Sequence, residues 1–466
     1  MPLSRSTTVA LACALALPLP ALAATNFSSF TPLPQPVVVG SLPEATPFQF
    51  GNASWTQLSI ADRSTQLSAG QFNSGTWDMI DTNRTGVDAG RYLYTVFETT
   101  STGVQRTDRQ TGTTVTLWSA GAAVGASSNA RYFDASRWTP FGTWLTAQED
   151  WGSASNRHGR LFELTNPITA SAGTGNLVHR NAVARVSHEG LAFDSANNLY
   201  YVDEFSGGSI FRFRSATPTV GSTYFDGGFN EVLRVGDGHT DGATGAFSWV
   251  PFTDAAGVGL PGSVTGTDTN GLYFVDGRAT TDLVAFKGTN YNRPEDLEIQ
   301  TLAGGGQILY VSITGSHQVL SINLATSQVN SFVSRATVDA ATGFVVGTAF
   351  SSPDNLAIDA TGNIYIVEDR GDGIGADSIW FVTDVNRDGV AESISRWASL
   401  STSGAEPSGL YFDVTHPNIA FINVMHPTSG VDRMIQITAV PEPATTALWL
   451  GGLLGLAALR RRRATR

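Results

Sequence analysis

The chain has almost no lysine and almost no cysteine. Among 466 residues there is one lysine, Lys287, and one cysteine, Cys13. Cys13 lies inside the apolar N-terminal run, so once that leader is removed the protein has neither a disulfide nor a thiolate to offer a metal. Charge is sparse as well: 15% of residues are charged and the formal net charge is −12. An acidic chain without basic clusters argues against nucleic acid as a partner, whereas it suits cations. What the chain does have is 49 Gly, 20 Pro and 41% hydrophobic residues, with much Ser, Thr and Asn. That mixture is the composition of a turn-rich β protein with ample apolar residues for a core.

The two ends read as addresses. Residues 1–23 have the layout of a secretory signal: Arg5, an apolar stretch from Thr7 to Ala21, and the small-residue site Ala21-Leu22-Ala23. At the other end Pro441, Glu442 and Pro443 precede an apolar run from Ala444 to Leu459 and the cluster Arg460 to Arg463. The run is a little short of the ~20 residues that span a bilayer comfortably, and the arginines are expected to stay cytoplasmic. Residues 440–466 resemble the PEP-CTERM sorting signal. The resemblance implies a Gram-negative host, export, anchoring in the inner membrane until an exosortase processes the tail, and an association with extracellular polysaccharide.

Between the tails, over 26–438, one phrase recurs: His188-Glu189-Gly190-Leu191, Pro294-Glu295-Asp296-Leu297, Pro353-Asp354-Asn355-Leu356 and, more loosely, Glu406-Pro407-Ser408-Gly409-Leu410. Each is followed by a Gly/Asn turn and a second apolar strand, as in Leu199-Tyr200-Tyr201-Val202 and Ile364-Tyr365-Ile366-Val367, then by a third. Alternation at period two and Asn/Gly turns mark antiparallel strands. Weaker copies begin at Tyr92 and Gly142, giving six units. Repeated four-stranded units at this spacing predict an all-β, six-bladed β-propeller. The stretch from about 236 to 290 is an insertion between the third and fourth blades, with a short helix expected over 277–286.

In a propeller the start of each innermost strand faces one mouth of the central channel. Glu189, Glu295 and Asp354 are expected there, with Glu406 two residues ahead of the aligned Ser408. Glu98, Glu149, Glu204 and Glu368 close second strands and are expected at the same rim. Crowded carboxylates repel unless a cation sits among them. The alternative for any one of them is a turn cap.

Thr139-Pro140-Phe141-Gly142-Thr143-Trp144, Ser187-His188-Glu189-Gly190, Asn292-Arg293-Pro294-Glu295-Asp296, Ser352-Pro353-Asp354-Asn355 and Asn423-Val424-Met425-His426-Pro427 together resemble the PhoX-type alkaline phosphatases and their DUF839 relatives. The resemblance implies a channel cluster of calcium and iron that hydrolyses phosphate monoesters. It implies Glu189, Glu295, Asp354 and Glu406 as metal ligands, with Asn355, Glu204, Glu368, Asp369 and Glu149 as further candidates and Arg293 as a phosphate clamp. His188 and His426 flank the acidic phrases and are read as packing or turn residues. The chain departs from the family at Thr146-Ala147-Gln148-Glu149: Ala147 replaces the iron-ligating cysteine and Gln148 replaces a carboxylate. Oxygen ligands alone suit calcium better than iron.

Separately, Asp384, Asn386 and Asp388 followed by Gly389 match positions 1, 3, 5 and 6 of a calcium loop, with Glu392 at position 9. The expectation is therefore an exported, monomeric, metal-dependent phosphatase. Two other readings remain open: a non-catalytic calcium propeller associated with extracellular polysaccharide, and a lactonase-type hydrolase.

Overall fold

The computed structural model describes residues 27–122, 130–153, 156–268, 270–371 and 376–440; the N-terminal leader and Pro441, Glu442 and Pro443 lie outside them. It is a six-bladed β-propeller. The innermost strands are, in order, Trp77–Thr82, Arg137–Trp138, Leu191–Phe193, Pro294–Thr301, Pro353–Ile358 and Glu406–Phe412. Each begins an antiparallel sheet that runs outward through hairpins. The sixth blade takes its outermost strand from the other end of the chain: Thr56–Asp62 pairs with Arg433–Thr438 and closes the ring.

The core lies between the blades rather than within any one of them. A blade presents side chains on both faces to its neighbours, so its central strands are predominantly apolar. Tyr92–Phe97, Leu199–Val202 and Ile364–Glu368 are buried at every residue. The hydrophobic side chains segregate into six clusters, each shared by two successive blades. Trp144 and Tyr94 join the second blade to the first, for example, and Phe421 and Trp77 join the sixth to the first.

Polar staples fix the inner strands to one another. Asp296 accepts from Leu297 N at 2.7 Å and, across the seam, from Leu356 N at 2.9 Å. Asn355 Oδ1 accepts from Gly409 N at 2.7 Å, and Asp81 Oδ2 from Trp138 N at 2.6 Å. Gly190 leaves the room such a staple needs, since a Cβ there would lie 2.4 Å from Asp296 Oδ1.

The insertion after the third blade begins as a fifth strand, Gly245–Pro251, on the blade's outer edge. Its Gly245 then pairs with Val329 of the fourth blade. A small hairpin, Thr265–Thr267 with Tyr273–Val275, leads to the expected helix, which is shorter than the sequence suggested: Gly277–Thr281, capped by Asp276. Arg278 on this helix makes a two-pronged ion pair with Asp203, at 2.7 and 2.6 Å. That contact ties the insertion to the strand end carrying Glu204. No helix among the described residues is long and apolar enough to cross a membrane.

Candidate metal centre at the channel mouth

The acidic phrase occurs in every blade but one. The backbone register aligns Asp78, Asp134, Glu295, Asp354 and Ser408, each one residue after the position that faces the end of the second strand: Trp77↔Phe97, Phe133↔Gln148, Pro294↔Ile313, Pro353↔Glu368 and Pro407↔Val424. Glu189 holds this place in the third blade. Four of the innermost strands break register here, between Trp77 and Ile80, Pro294 and Leu297, Pro353 and Leu356, and Ser408 and Tyr411. Such bulges re-aim a side chain that regular pleating would send into the neighbouring blade.

A second tier comes from the residue just past each partner: Glu98, Glu149, Thr314, Asp369 and Met425, with Glu204 in the third blade. Together with Arg293 and Glu406, all of the two tiers except Ser408 and Thr314 line a cavity of ≈ 120 Å³ that holds ten carboxylates. Glu189, Glu295 and Asp354, from three successive blades, each place an oxygen within 4.8 Å of the others. At that separation two charged carboxylates repel by about 3–4 kcal/mol at an effective dielectric near 20.

Titration follows from this crowding. Burial pushes Glu189 well above the carboxylate range, and the charges of Glu295 and Asp354 push it further. Asp354 rises through burial and then Glu295 and Asp369; Glu406 through burial and then Asp369 and Asp354. Asp78, Asp134 and Glu149 are likewise raised, first by burial and then by neighbouring acids. Glu295 reaches about 7, raised by burial and Glu204 against the opposing pull of Glu189 and Arg293. Three buried oxygens here, Glu189 Oε2, Asp134 Oδ1 and Glu295 Oε1, have no hydrogen-bond partner, although Glu295 Oε1 lies 3.0 Å from the Arg293 guanidinium. Orphaned acceptors in a buried, all-oxygen site fit a hard cation such as calcium.

Arg293 stands at the rim. Its guanidinium lies 2.5 Å from Glu204 and 3.0 Å from Glu295, and its side chain is 45% exposed. Its ion-pair partners are thus these two acids rather than the adjacent Asp296. His426 approaches Glu406 Oε2 through Nε2 at 3.1 Å, and its Nδ1 lies 2.9 Å from the Gly404 carbonyl. Glu406, Asp369 and His426 also border a larger cleft of ≈ 780 Å³ that adjoins the acidic cavity and includes Thr402, Ser403 and Thr428.

Several expected site residues are placed elsewhere. Glu368 is buried, and its two oxygens accept from Ser351 N and Ser378 N. The rim position of that strand belongs to Asp369, one residue on. Asn355 is spent on its staple to Gly409. Ala147 packs in the apolar cluster between the second and third blades. Gln148 accepts from Arg160 Nε at 2.9 Å and donates to the Arg131 carbonyl at 3.3 Å. His188 is fully buried against Tyr201, and burial holds it down to about 3, hence neutral. Asp384, Asn386, Asp388 and Glu392 lie on the outer hairpin of the fifth blade, apart from the cavity.

Two cavity acids, Asp78 and Asp134, were not found by reading the sequence. Their phrases, Trp77-Asp78-Met79 and Phe133-Asp134-Ala135, carry none of the Pro, Glu or Leu that marks the other copies. A usable signal was present nonetheless. Asp134 precedes Glu149 by the same interval that separates Glu189 from Glu204 and Asp354 from Asp369.

The chain was compared with known proteins. Residues 94–427 match the family described as Alkaline phosphatase PhoX, and residues 439–463 match the PEP-CTERM protein-sorting motif. No curated protein gives a match. Similar solved structures include a luciferin-regenerating enzyme (9% identity, 79% of this chain and 93% of that one, TM-score 0.40). Another is the PQQ-bound aldose sugar dehydrogenase of Streptomyces coelicolor (10% identity, 83% and 99%, TM-score 0.43). A third, from Bacteroides thetaiotaomicron, carries a provisional phosphatase name (10% identity, 79% and 72%, TM-score 0.42).

Proposed function

The chain belongs to the PhoX family of alkaline phosphatases, and from that premise we propose that it hydrolyses phosphate monoesters at a calcium-containing centre in the channel mouth. The observation that carries this reading is the convergence of Glu189, Glu295 and Asp354 from three blades, with Glu189 Oε2 buried and unpartnered. These three would hold the cation, with Asp78, Asp134 and the second-tier acids Glu149, Glu204 and Asp369 around them. Bound calcium supplies Lewis acidity toward phosphoryl oxygens and lowers the pKa of an oxygen nucleophile. The donor set contains no sulfur from Ala147, which favours calcium over iron.

The chain's own groups divide the remaining work. Glu204 and Glu295 hold Arg293 in one orientation, half-exposed at the rim, where a guanidinium can pair with phosphate oxygens. His426 donates Nδ1–H to the Gly404 carbonyl, so its 3.1 Å approach to Glu406 requires a proton between Nε2 and Oε2. Burial and the charges of Asp369 and Asp354 raise Glu406's hold on a proton. The pair stands between the acidic cavity and the larger cleft. The alcohol portion of the ester would occupy that cleft, and the pair is placed to protonate the departing alkoxide.

The sorting motif supports export. We read the protein as led out by a signal peptide, anchored in the inner membrane by its tail, and processed by an exosortase into the cell envelope or matrix. A second reading is a calcium-stabilised propeller that binds matrix polysaccharide without turnover. It is favoured by Ala147 and Gln148, both engaged in packing or internal hydrogen bonds. Assaying the purified protein on p-nitrophenyl phosphate, with calcium and with iron, separates the two. Calcium-dependent turnover abolished by Glu189→Gln supports the phosphatase, and bound calcium without hydrolysis under any metal selects the second reading.

A further inference from the structure

The hairpin joining Ser378–Thr383 to Ser393–Leu400 lies on the outer part of the fifth blade, away from the channel. Its sequence, Asp384-Val385-Asn386-Arg387-Asp388-Gly389, offers oxygens at positions 1, 3 and 5 of a calcium loop and the glycine at 6. The backbone has closed the loop. Asp384 Oδ2 accepts from Gly389 N at 3.3 Å, Asn386 Oδ1 from Asp388 N at 3.0 Å, and Asp388 Oδ1 from Val390 N at 2.8 Å. Glu392 folds back so that its Oε2 accepts from Val385 N at 2.9 Å, which brings a third carboxylate over the loop. Loop closure alone does not make a metal site.

A separate observation does point to a ligand. Asp384 is only 4% exposed, and its Oδ1 is buried with no hydrogen-bond partner. A buried, unpartnered carboxylate oxygen in a loop that carries two further acids, with no cationic side chain paired to any of the three among the described ion pairs, is a costly arrangement that a divalent cation would relieve. The one arginine in the loop does not serve: Arg387 turns away and donates to the Gly362 and Thr361 carbonyls.

We propose that this hairpin binds one calcium ion, held by Asp384, Asn386, Asp388 and Glu392, as a structural lock on the seam between the fourth and fifth blades. The same hairpin reaches across that seam. Gly389 O accepts from Ser321 Oγ at 2.6 Å, and Ala391 N donates to Phe332 O at 3.0 Å. Gly389 has φ of 83°, and a Cβ there would meet Ser321 Oγ at 2.7 Å, so the loop's turn and its contact with the neighbouring blade both need glycine. Ordering the loop on an ion therefore orders the seam. With two aspartates, one asparagine and one glutamate, the affinity expected is that of extracellular calcium modules, Kd about 10⁻⁴–10⁻³ M.

The test uses the metal-stripped full chain and calcium alone. Calcium stoichiometry is measured by equilibrium binding for wild type, Asp384→Asn, Asp388→Asn and Glu189→Gln. Each loop variant is expected to bind one ion fewer with phosphate-ester turnover unchanged, while Glu189→Gln keeps the loop ion. Asp388 is exposed, so its substitution spares the core. A second readout is trypsin cleavage after Arg387, which calcium should slow at least about tenfold in wild type and not in Asp388→Asn. Unchanged stoichiometry in Asp388→Asn, or no calcium protection of Arg387 in wild type, overturns the proposal. Neither outcome depends on whether the channel site is catalytic.

Discussion

Each innermost strand can carry a carboxylate at either end, and the two ends treat it oppositely. At the far end, Asp194 Oδ1 accepts from Ala196 N and Asn198 N while its Oδ2 accepts from Asn198 Nδ2 and Tyr200 Oη. Asp359 repeats the pattern with Thr361 N, Asn363 N, Asn363 Nδ2 and Tyr365 Oη. These acids are saturated and close the turn into the second strand. At the channel end, Glu189 and Asp354 on the same two strands face other acids, and Glu189 keeps an orphaned oxygen. Burial does not distinguish the two sets, because both are largely enclosed. Partners do: one set is satisfied by the chain, and the other can be satisfied only from outside it.

The contrast can be broken most sharply at the channel end. Glu189→Gln or Asp354→Asn should lower phosphomonoester turnover about a hundredfold or more, judged against the 10–100-fold that even outer-shell changes cost, with the far-UV dichroism unchanged. Next comes pH. Glu295 has a folded-state value raised to about 7. A raised carboxylate stabilises the fold fully below its unfolded value near 4.5, and that contribution is lost as pH rises through 7. The metal-free protein should therefore lose at least about 2 kcal/mol between pH 5 and pH 8 in urea titrations, and calcium should restore it. At the turn end, Asp359→Ala should cost about 2 kcal/mol of stability by leaving buried donors unpaired, with kcat essentially unchanged. The smallest effect has the opposite sign. Glu149→Gln removes a buried group that must either charge or take up a proton and should raise the metal-free melting midpoint by a few degrees, about 1 kcal/mol, while weakening calcium binding.

The six-unit plan was legible because Pro, a carboxylate and Leu recur at fixed places, and eight of the ten acids lining the cavity, all but Asp78 and Asp134, stand among the residues expected at the rim or as ligands. What escaped had physical causes. The first two blades have Trp77 and Phe133 where the other copies have Pro or His, so the repeat was read as starting one strand later. Asp369 rather than Glu368 reaches the rim because Val367-Glu368-Asp369 is the counterpart of Val202-Asp203-Glu204: Glu368 and Asp203 each accept from a backbone N–H, Ser351 N and Ser187 N, and the next residue lines the cavity. Closure of the last blade by Thr56–Asp62 pairs the two ends of the sequence, and such long-range pairing leaves no local pattern to read.

The central claim is that the mouth acids are held for a cation that works on phosphate esters. Its most direct test is calcium titrated into the metal-stripped protein, with bound calcium and p-nitrophenyl phosphate turnover followed together in wild type and Glu189→Gln. The account predicts that turnover in wild type rises with occupancy of a site that Glu189→Gln lacks. Turnover that is equal in the two proteins, or full occupancy of that site with no turnover under any metal, would contradict it.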